Sequence, residues 1–401
     1  MKALHVITGL GVGGAEQQLR LLLRHLPVDC DVVTLTNPGA VADGLRADGV
    51  RVTHLGMRGN RDLVALPRLT RMMRGEKYDL VHTHLYRACV YGRIAARLAG
   101  VRATVATEHS LGQAEIEGRP LTRGTRALYL ATERLGSATV AVSATVAGRL
   151  LDWGVPPARI HVVPNGIDAR RFRFDQHVRL ATRAQLGLPA DAFVVGGVGR
   201  LVPGKRFDLL VRAVAAVPGA RLLLAGDGPE REALRTLAAR MGAGDRIRLL
   251  GECDATGGGG RAGSGAERAN GVPAAGGTDR PGIPALLSAM DLFVSASREE
   301  AFGLAVIEAL AAGLPVLHSA CPAIDDLPHG HAPGARRIGH SDGPDELTAA
   351  LRRQITGGTR RHLPPPAVGH YDIARSSRRL MDVYAHALAP TSTPSTKRAR
   401  P

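Results

Sequence analysis

Ser297-Arg-Glu-Glu-Ala-Phe-Gly-Leu-Ala-Val-Ile-Glu308 is the stretch on which the reading of this chain turns. Before it, Asp291 to Ala296 (DLFVSA) is short, apolar and strand-like, and beyond its glycine Leu304 to Ala312 is built from strong helix formers. Glu300 and Gly303 therefore fall at a strand-to-helix turn. The first N–H groups of a helix have no partner within it and carry the positive end of the helix dipole, so an anion can approach wherever no side chain intervenes. Gly303 supplies that opening. Glu308, further along the same helix, is placed to accept two hydrogen bonds from a ribose diol, and Glu300, before the helix, reaches a group beyond the phosphates. Taken alone, the segment has a competing reading as one carboxylate favouring the helix dipole and one solvated on the helix surface.

Outward from this turn, short apolar runs alternate with helical stretches, the pattern of parallel sheets covered by helices. The first half offers strands at Ala3–Thr8, Asp31–Thr36, Val50–His54, Leu80–His84, Thr104–Thr107, Thr139–Ser143 and Ile160–Val163, with helices near 15–25, 63–74, 87–99, 123–136 and 144–153. The second half restarts at Phe193–Gly199 and continues through Arg221–Ala225, Ile247–Leu250, Asp291–Ala296 and Pro315–Ser319, with helices at 208–217, 230–241, 284–289 and 304–312. Two doubly wound α/β domains of similar size are the simplest account, joined by a linker in the arginine-rich stretch between Asp168 and Pro189. The low-complexity run from 253 to 282 cannot bury a core and is expected to be a surface insertion. The Pro, Ser, Thr and basic tail after Leu388 is expected to be disordered.

At 401 residues the chain has room for two cores, and 44% hydrophobic with 22% charged residues is ordinary for a globular protein. No apolar stretch approaches the roughly 20 residues a membrane span requires. The N-terminus passes at once into a glycine turn, without the apolar core and cleavage site of a secretion signal, so a cytoplasmic location is expected. Cys30, Cys89, Cys253 and Cys321 are far apart and form no metal-type pair, in keeping with a reducing compartment. The net charge of +16 comes mostly from arginine scattered among alanine and glycine, and aromatic residues make up only 3%. Dispersed charge with few stacking platforms argues against a nucleic-acid partner and is compatible with peripheral association at an anionic membrane face.

Several loops carry candidate chemistry. Gly9-Leu-Gly-Val-Gly-Gly14 matches the GxGxxG of dinucleotide sites, but such sites place an acid at the end of the second strand, and here that strand ends Thr34-Leu-Thr-Asn37. What survives is that Gly11, Gly13 and Gly14 let the backbone approach something anionic or polar. The strand from Val194 ends in Arg200-Leu-Val-Pro-Gly-Lys205, at the carboxyl edge where α/β domains bind ligands. There Arg200 can fork across two phosphate oxygens while Lys205 supplies a point charge. Gly226-Asp-Gly-Pro229 leaves the same edge. Glu108-His109 follows a strand of the first half and faces the cleft between domains, where His109 can bond a sugar hydroxyl or donate a proton; a purely structural histidine is the competing reading. Asp29-Cys-Asp31 has the form of a DxD metal clamp but precedes an apolar strand, which reads as loop polarity, so no metal site is expected.

Together these residues resemble glycosyltransferase family 4, retaining enzymes of the GT-B architecture. The motifs are Gly13-Gly-Ala-Glu16, Val140-Ala-Val-Ser143, Val163-Pro-Asn-Gly-Ile-Asp168, Gly199-Arg-Leu-Val-Pro-Gly-Lys205, Gly226-Asp-Gly-Pro229 and Glu300 through Glu308, each weak alone but in order at ordinary spacing. The resemblance covers the chain to about Leu388. It implies two Rossmann-like doubly wound parallel-sheet domains facing across a cleft: an acceptor domain at 1–170, a nucleotide-sugar donor domain at 171–370 carrying the insertion 253–282, a helix at 371–388 returning to the first domain, and a basic tail at 389–401.

The resemblance further implies transfer of a hexose-type sugar from a nucleotide diphosphate, by default UDP, to a hydroxyl of a polysaccharide, glycolipid or secondary metabolite such as an aminoglycoside, with no metal and no cofactor. Arg200 and Lys205 match the cations on the diphosphate, and Gly303 with Leu304 the backbone amides at the same phosphates. Glu308 matches the ribose ligand, Glu300 the carboxylate beside the donor sugar, and His109 the histidine near the reacting centre. Gly14 matches the glycine turn close to the phosphates, and Gly228 lies in the third loop of the donor site. There are two departures: Arg206 stands where the family often has glycine, and the low-complexity run begins just after Gly251-Glu252, where the family contacts the base. An inactive nucleotide-sugar-binding relative and a basic nucleic-acid-binding protein are the alternative readings.

Overall fold

Short apolar strands buried on both faces need helices on both sides, and that requirement shapes both halves of the chain. The computed structural model describes residues 1–59, 62, 64–112, 115–117, 119–254, 280–339, 343–358 and 360–389. The first half holds β1 (Lys2–Ile7), β2 (Asp29–Thr34), β3 (Arg51–His54), β4 (Leu80–His84), β5 (Ala103–Glu108), a small antiparallel ribbon of β6 (Glu115–Ile116) and β7 (Arg119–Pro120), β8 (Ala138–Ala141) and β9 (Ile160–Val162). The second holds β10 (Phe193–Val198), β11 (Ala220–Ala225), β12 (Ile247–Gly251), β13 (Leu292–Ser295), β14 (Val316–His318) and β15 (Ala335–Arg337).

The first sheet has seven strands in the order β3-β2-β1-β4-β5-β8-β9, the second six in the order β12-β11-β10-β13-β14-β15. Every neighbouring pair in both sheets is parallel. The strand order reverses between β1 and β4 in one sheet and between β10 and β13 in the other, and a crevice opens at the carboxyl ends of strands at each such switch point. The doubly wound α/β expectation thus holds for both halves.

The arginine-rich stretch read as a linker carries regular structure that its sequence pattern did not show. Ala169–Phe172 forms a short 3₁₀ turn, and Gln176–Gln185 is a helix whose N-terminus is capped by Asp175, accepting from the N–H groups of His177 and Val178. Its inward face is polar. Arg183 is buried and donates to Asp291 at 2.7 Å, while Arg179 donates to the other carboxylate oxygen at 2.6 Å. A buried guanidinium is tolerable only when its donors are met, and Arg183 also reaches the carbonyls of Ala190 and Ala192. Other elements with no counterpart in the sequence reading include the helices Gly39–Ala47 and Asp345–Thr356, the short helices Pro322–Asp325 and Pro366–His370, the β6–β7 ribbon and β15. Asp29-Cys-Asp31 lies within β2 rather than before it, and Asp31 accepts from Arg51 at 2.6 Å and from Tyr78 at 2.7 Å, as a structural ion pair.

The chain passes between the halves twice, side by side: the Ile167 N–H donates to the Tyr371 carbonyl at 2.8 Å, and the Ile373 N–H to the Ile167 carbonyl at 3.1 Å. The helix Ile373–Leu388 then lays Leu380, Val383 and Tyr384 in one core with Ala3, Leu80, Val105 and Val140 of the first sheet. The four cysteines are free. Among the described residues no helix is long and apolar enough to cross a membrane. Most of the 253–282 run and of the basic tail lies outside the described residues.

Candidate active site

The switch point of the second sheet is built from three loops tied by backbone hydrogen bonds. Gly199 donates to the Ala225 carbonyl and Leu201 to the Asp227 carbonyl, each at 2.9 Å. Gly228 fits against this turn because it lacks a side chain: a Cβ there would lie 2.4 Å from the Leu201 carbonyl oxygen. The loop after β13 joins the same assembly through the Arg298 N–H, which donates to the Gly204 carbonyl at 2.9 Å. That bond sets Lys205 beside Glu300, with Nζ 2.5 Å from Oε1, and Ser297 donates to the same oxygen at 2.8 Å.

Gly303 precedes the helix Leu304–Ala311 with φ +103°, a conformation that side chains rarely adopt, and a Cβ there would sit 2.6 Å from the Cys321 sulfur. The helix start is therefore bare, as the sequence required. Glu308 lies on the same helix, half-buried, and loss of hydration pushes its carboxyl up to about 7 against the pull of Arg171. Arg206, standing where glycine is frequent, is itself left-handed at φ +53° and caps the helix Phe207–Ala215. Glycine adopts that backbone without strain, whereas a residue with a side chain adopts it at a cost.

The first half closes over this edge. The Cδ1 atom of Leu304 lies 3.7 Å from where a Gly14 side chain would begin, so the two helix starts meet. Glu16, from the same glycine turn, has its carboxyl raised to about 7 by burial first and by Glu117, against an opposing contribution from Arg200, which is exposed to the cleft side. Ser143 caps the helix Ala144–Trp153 and donates to the Ala301 carbonyl at 2.7 Å, and the Ala144 N–H donates to Asp326 at 2.7 Å. Glu299 pairs with Arg149 at 2.6 Å, and its carboxylate also lies against Gly112, in the loop that follows His109. The loops of His109 and Glu300 are thereby brought together.

His109 belongs to a group the sequence reading passed over. Its Nε2 lies 3.1 Å from His84 Nδ1, and His84 Nε2 lies 3.0 Å from His5 Nδ1. The neighbouring His82 spans Tyr384 OH at 2.6 Å and Thr107 Oγ1 at 2.7 Å. Burial pushes His109 down to about 4 and His5 to about 3, and holds His82 and His84 well below the ordinary imidazole value. His5, His82 and His84 each place a ring nitrogen within 4.8 Å of the others, the spacing of a metal cluster. All of their nitrogens but His5 Nε2 are spoken for, however: His82 uses both on hydroxyls, and His84 meets His5 head-on through Nε2 and His109 through Nδ1. The available signal was the alternation His82-Thr-His84 in a strand buried along its whole length, where an imidazole must find a partner.

Two Rossmann-like sheets whose switch points face each other, one edged with cations, carboxylates and a bare helix start, define a GT-B protein of the glycosyltransferase class. Residues 12–171 match the model described as Glycosyltransferase Family 4, and residues 178–256 and 256–356 match models described as Glycosyl transferases group 1. A D-inositol 3-phosphate glycosyltransferase of Catenulispora acidiphila is 30% identical over 85% of this chain and 82% of its own length. One from Salinispora tropica is 31% identical over 78% of this chain and 64% of its own, so the chain spans under two thirds of that relative. The Anabaena protein HepE, crystallised in complex with UDP-glucose, superposes with a TM-score of 0.78 at 22% identity, over 96% of this chain and 99% of HepE. The chain belongs to glycosyltransferase family 4, among the group 1 glycosyltransferases.

Proposed function

We propose that the protein is a retaining hexosyltransferase that moves a sugar from UDP to a hydroxyl acceptor. The observation that carries this reading is the Arg298 to Gly204 hydrogen bond, which joins the loops after β10 and β13 so that Lys205, Glu300 and the helix start at Gly303 surround one space opposite Gly14. In this reading Arg200, Lys205 and the amide of Leu304 hold the diphosphate, Gly228 and Gly14 leave room for its backbone contacts, and Glu308 takes the ribose diol. An arriving diphosphate competes for the Lys205 ammonium, and Glu300 is released from that pair to bond the sugar hydroxyls.

The chemistry is charge management. The bond from the anomeric carbon to the diphosphate breaks, the bond to the acceptor oxygen forms on the same face, and the acceptor proton passes to the departing phosphate, so configuration is retained. Fixed cations and a helix dipole stabilise the developing negative charge without reorganising at the moment of reaction. His109 stands at the reacting centre from the first half.

UDP as carrier is supported by HepE, and a hydroxyl-bearing acceptor by the relatives named for D-inositol 3-phosphate. Polysaccharide, glycolipid and small secondary-metabolite acceptors all fit this class. The reading divides the chain into an acceptor domain at 1–170, a donor domain at 171–370 and a returning helix at 371–388, and places it in the cytoplasm, peripheral to an anionic membrane face where the acceptor is lipid-linked. Mass spectrometry of purified protein incubated with UDP-, GDP- and ADP-sugars and a panel of hydroxyl acceptors tests it. Consumption of a UDP-hexose with a matching mass gain on an acceptor is expected; no consumption of any donor overturns it.

A further inference from the structure

We infer that His5 and His84 are positioning residues that fix the tautomer of His109, so that this histidine presents Nδ1–H, a hydrogen-bond donor, to the sugar-bearing ligand. The inference deepens the reading proposed above and rests on it for the identity of the ligand, but not for the tautomer.

The contacts run in line. Ring centroids are 5.3 Å apart for His5 and His84 and 5.4 Å for His84 and His109. The corresponding nitrogens are 3.0 and 3.1 Å apart, so each centroid separation exceeds its N···N distance by little more than the two ring radii. The nitrogens thus point at each other, which is the geometry of N–H···N hydrogen bonds. Lone pairs converging on a shared ion would be splayed. A neutral imidazole has one N–H and one bare nitrogen, so in a chain of three every ring must be protonated on the same side. Loss of hydration lowers all three below the ordinary imidazole value and keeps them neutral.

Only two arrangements remain. With every proton on Nε2, His5 Nε2–H is a donor, and that atom is buried with no partner among the described residues. With every proton on Nδ1, the unmet atom at the inner end is a bare acceptor nitrogen, and His109 Nδ1, on the far side of its ring from His84, carries the outward N–H. Each arrangement leaves one N–H unmet within the protein, His5 Nε2–H in the core or His109 Nδ1–H at the partly exposed end, and only the latter can be met by water or a ligand oxygen, so the second arrangement is favoured. His109 Nδ1 is itself unpartnered among the described residues, and a ligand oxygen would complete the chain. The relay ends in the core at His5, so it sets polarity and offers no exit for a proton.

The test is long-range ¹H–¹⁵N NMR of histidine-labelled protein without ligand, with resonances assigned by single substitutions, alongside transfer kinetics. The expected spectrum has Nδ1–H tautomers at His5, His84 and His109. His84→Leu should release His109 to a mixed tautomer with a pKa nearer the ordinary value and lower kcat about tenfold, the value of one lost hydrogen bond. His84→Asn, whose amide sits where Nδ1 was and can donate to His109, should restore both. Tyr384→Phe, which loses only the bond to His82, should leave the His109 signature unchanged. An Nε2–H tautomer at His109, or a signature indifferent to His84→Leu in protein that remains folded, overturns the inference. A confirmed relay in protein that transfers no sugar would instead sink the functional reading alone.

Discussion

The switch points of the two sheets have the same topology and opposite chemistry. Between β10 and β13 the edge carries Arg200, Lys205, Glu300 and a bare helix start, all exposed or half-exposed to the cleft; between β1 and β4 it carries a glycine turn backed by buried, neutral histidines. One edge is built to hold charge, the other to approach closely and to fix hydrogen-bond polarity. A parallel sheet supplies the crevice in each case, and the residues at the strand ends decide what the crevice does.

The comparison breaks most sharply at Lys205. Lys205→Ala removes a preorganised cation from the charged edge and should lower kcat/KM about a hundredfold, close to 3 kcal/mol, measured as UDP release from the preferred donor. Glu300→Gln should act on the same scale, chiefly through kcat. Gly303→Ala forces a side chain into a left-handed position against Cys321 and should cost about 1–3 kcal/mol in a denaturant melt, with weaker donor binding. At the neutral edge, Tyr384→Phe should cost about 1 kcal/mol for the lost bond to buried His82 while turnover stays near wild type.

The smallest effect concerns pH. Glu308 holds its proton in the folded protein up to about 7, whereas the unfolded chain releases it near the ordinary glutamate value. Between those limits the folded state binds more protons, so stability should fall slightly as pH rises through this window. Ionised Glu308 is the better acceptor for a diol, so donor affinity should rise over the same range. Glu308→Gln should flatten the affinity profile, leaving in the melting profile the parallel contribution of Glu16, which is raised to the same value.

The charged edge was legible because its signals are local. An apolar run ending in glycine, followed by Arg200 and Lys205 or by Glu300 and Gly303, declares a strand end and a helix start within a dozen residues. The neutral edge was legible only in part. His109 was readable from its place after β5, but its partners come from β1 and β4, and nothing in local periodicity reports that His5 lies opposite His82 in the sheet register. The helix Gln176–Gln185 escaped for a related reason: its buried face is Thr182 and Arg183, and a helix anchored by a guanidinium on Asp291 shows no apolar stripe. The helix Asp345–Thr356 does bury Leu347, Ala350 and Leu351, an i, i+3, i+4 stripe carried by local periodicity.

Calorimetric titration of UDP separates the two edges directly, because UDP brings the diphosphate and ribose without the sugar. UDP should bind the wild type and His109→Leu with the same affinity and Lys205→Ala on the order of a hundredfold more weakly. Equal affinity for wild type and Lys205→Ala, or loss of UDP binding in folded His109→Leu, would contradict the assignment of charge holding to one edge and positioning to the other.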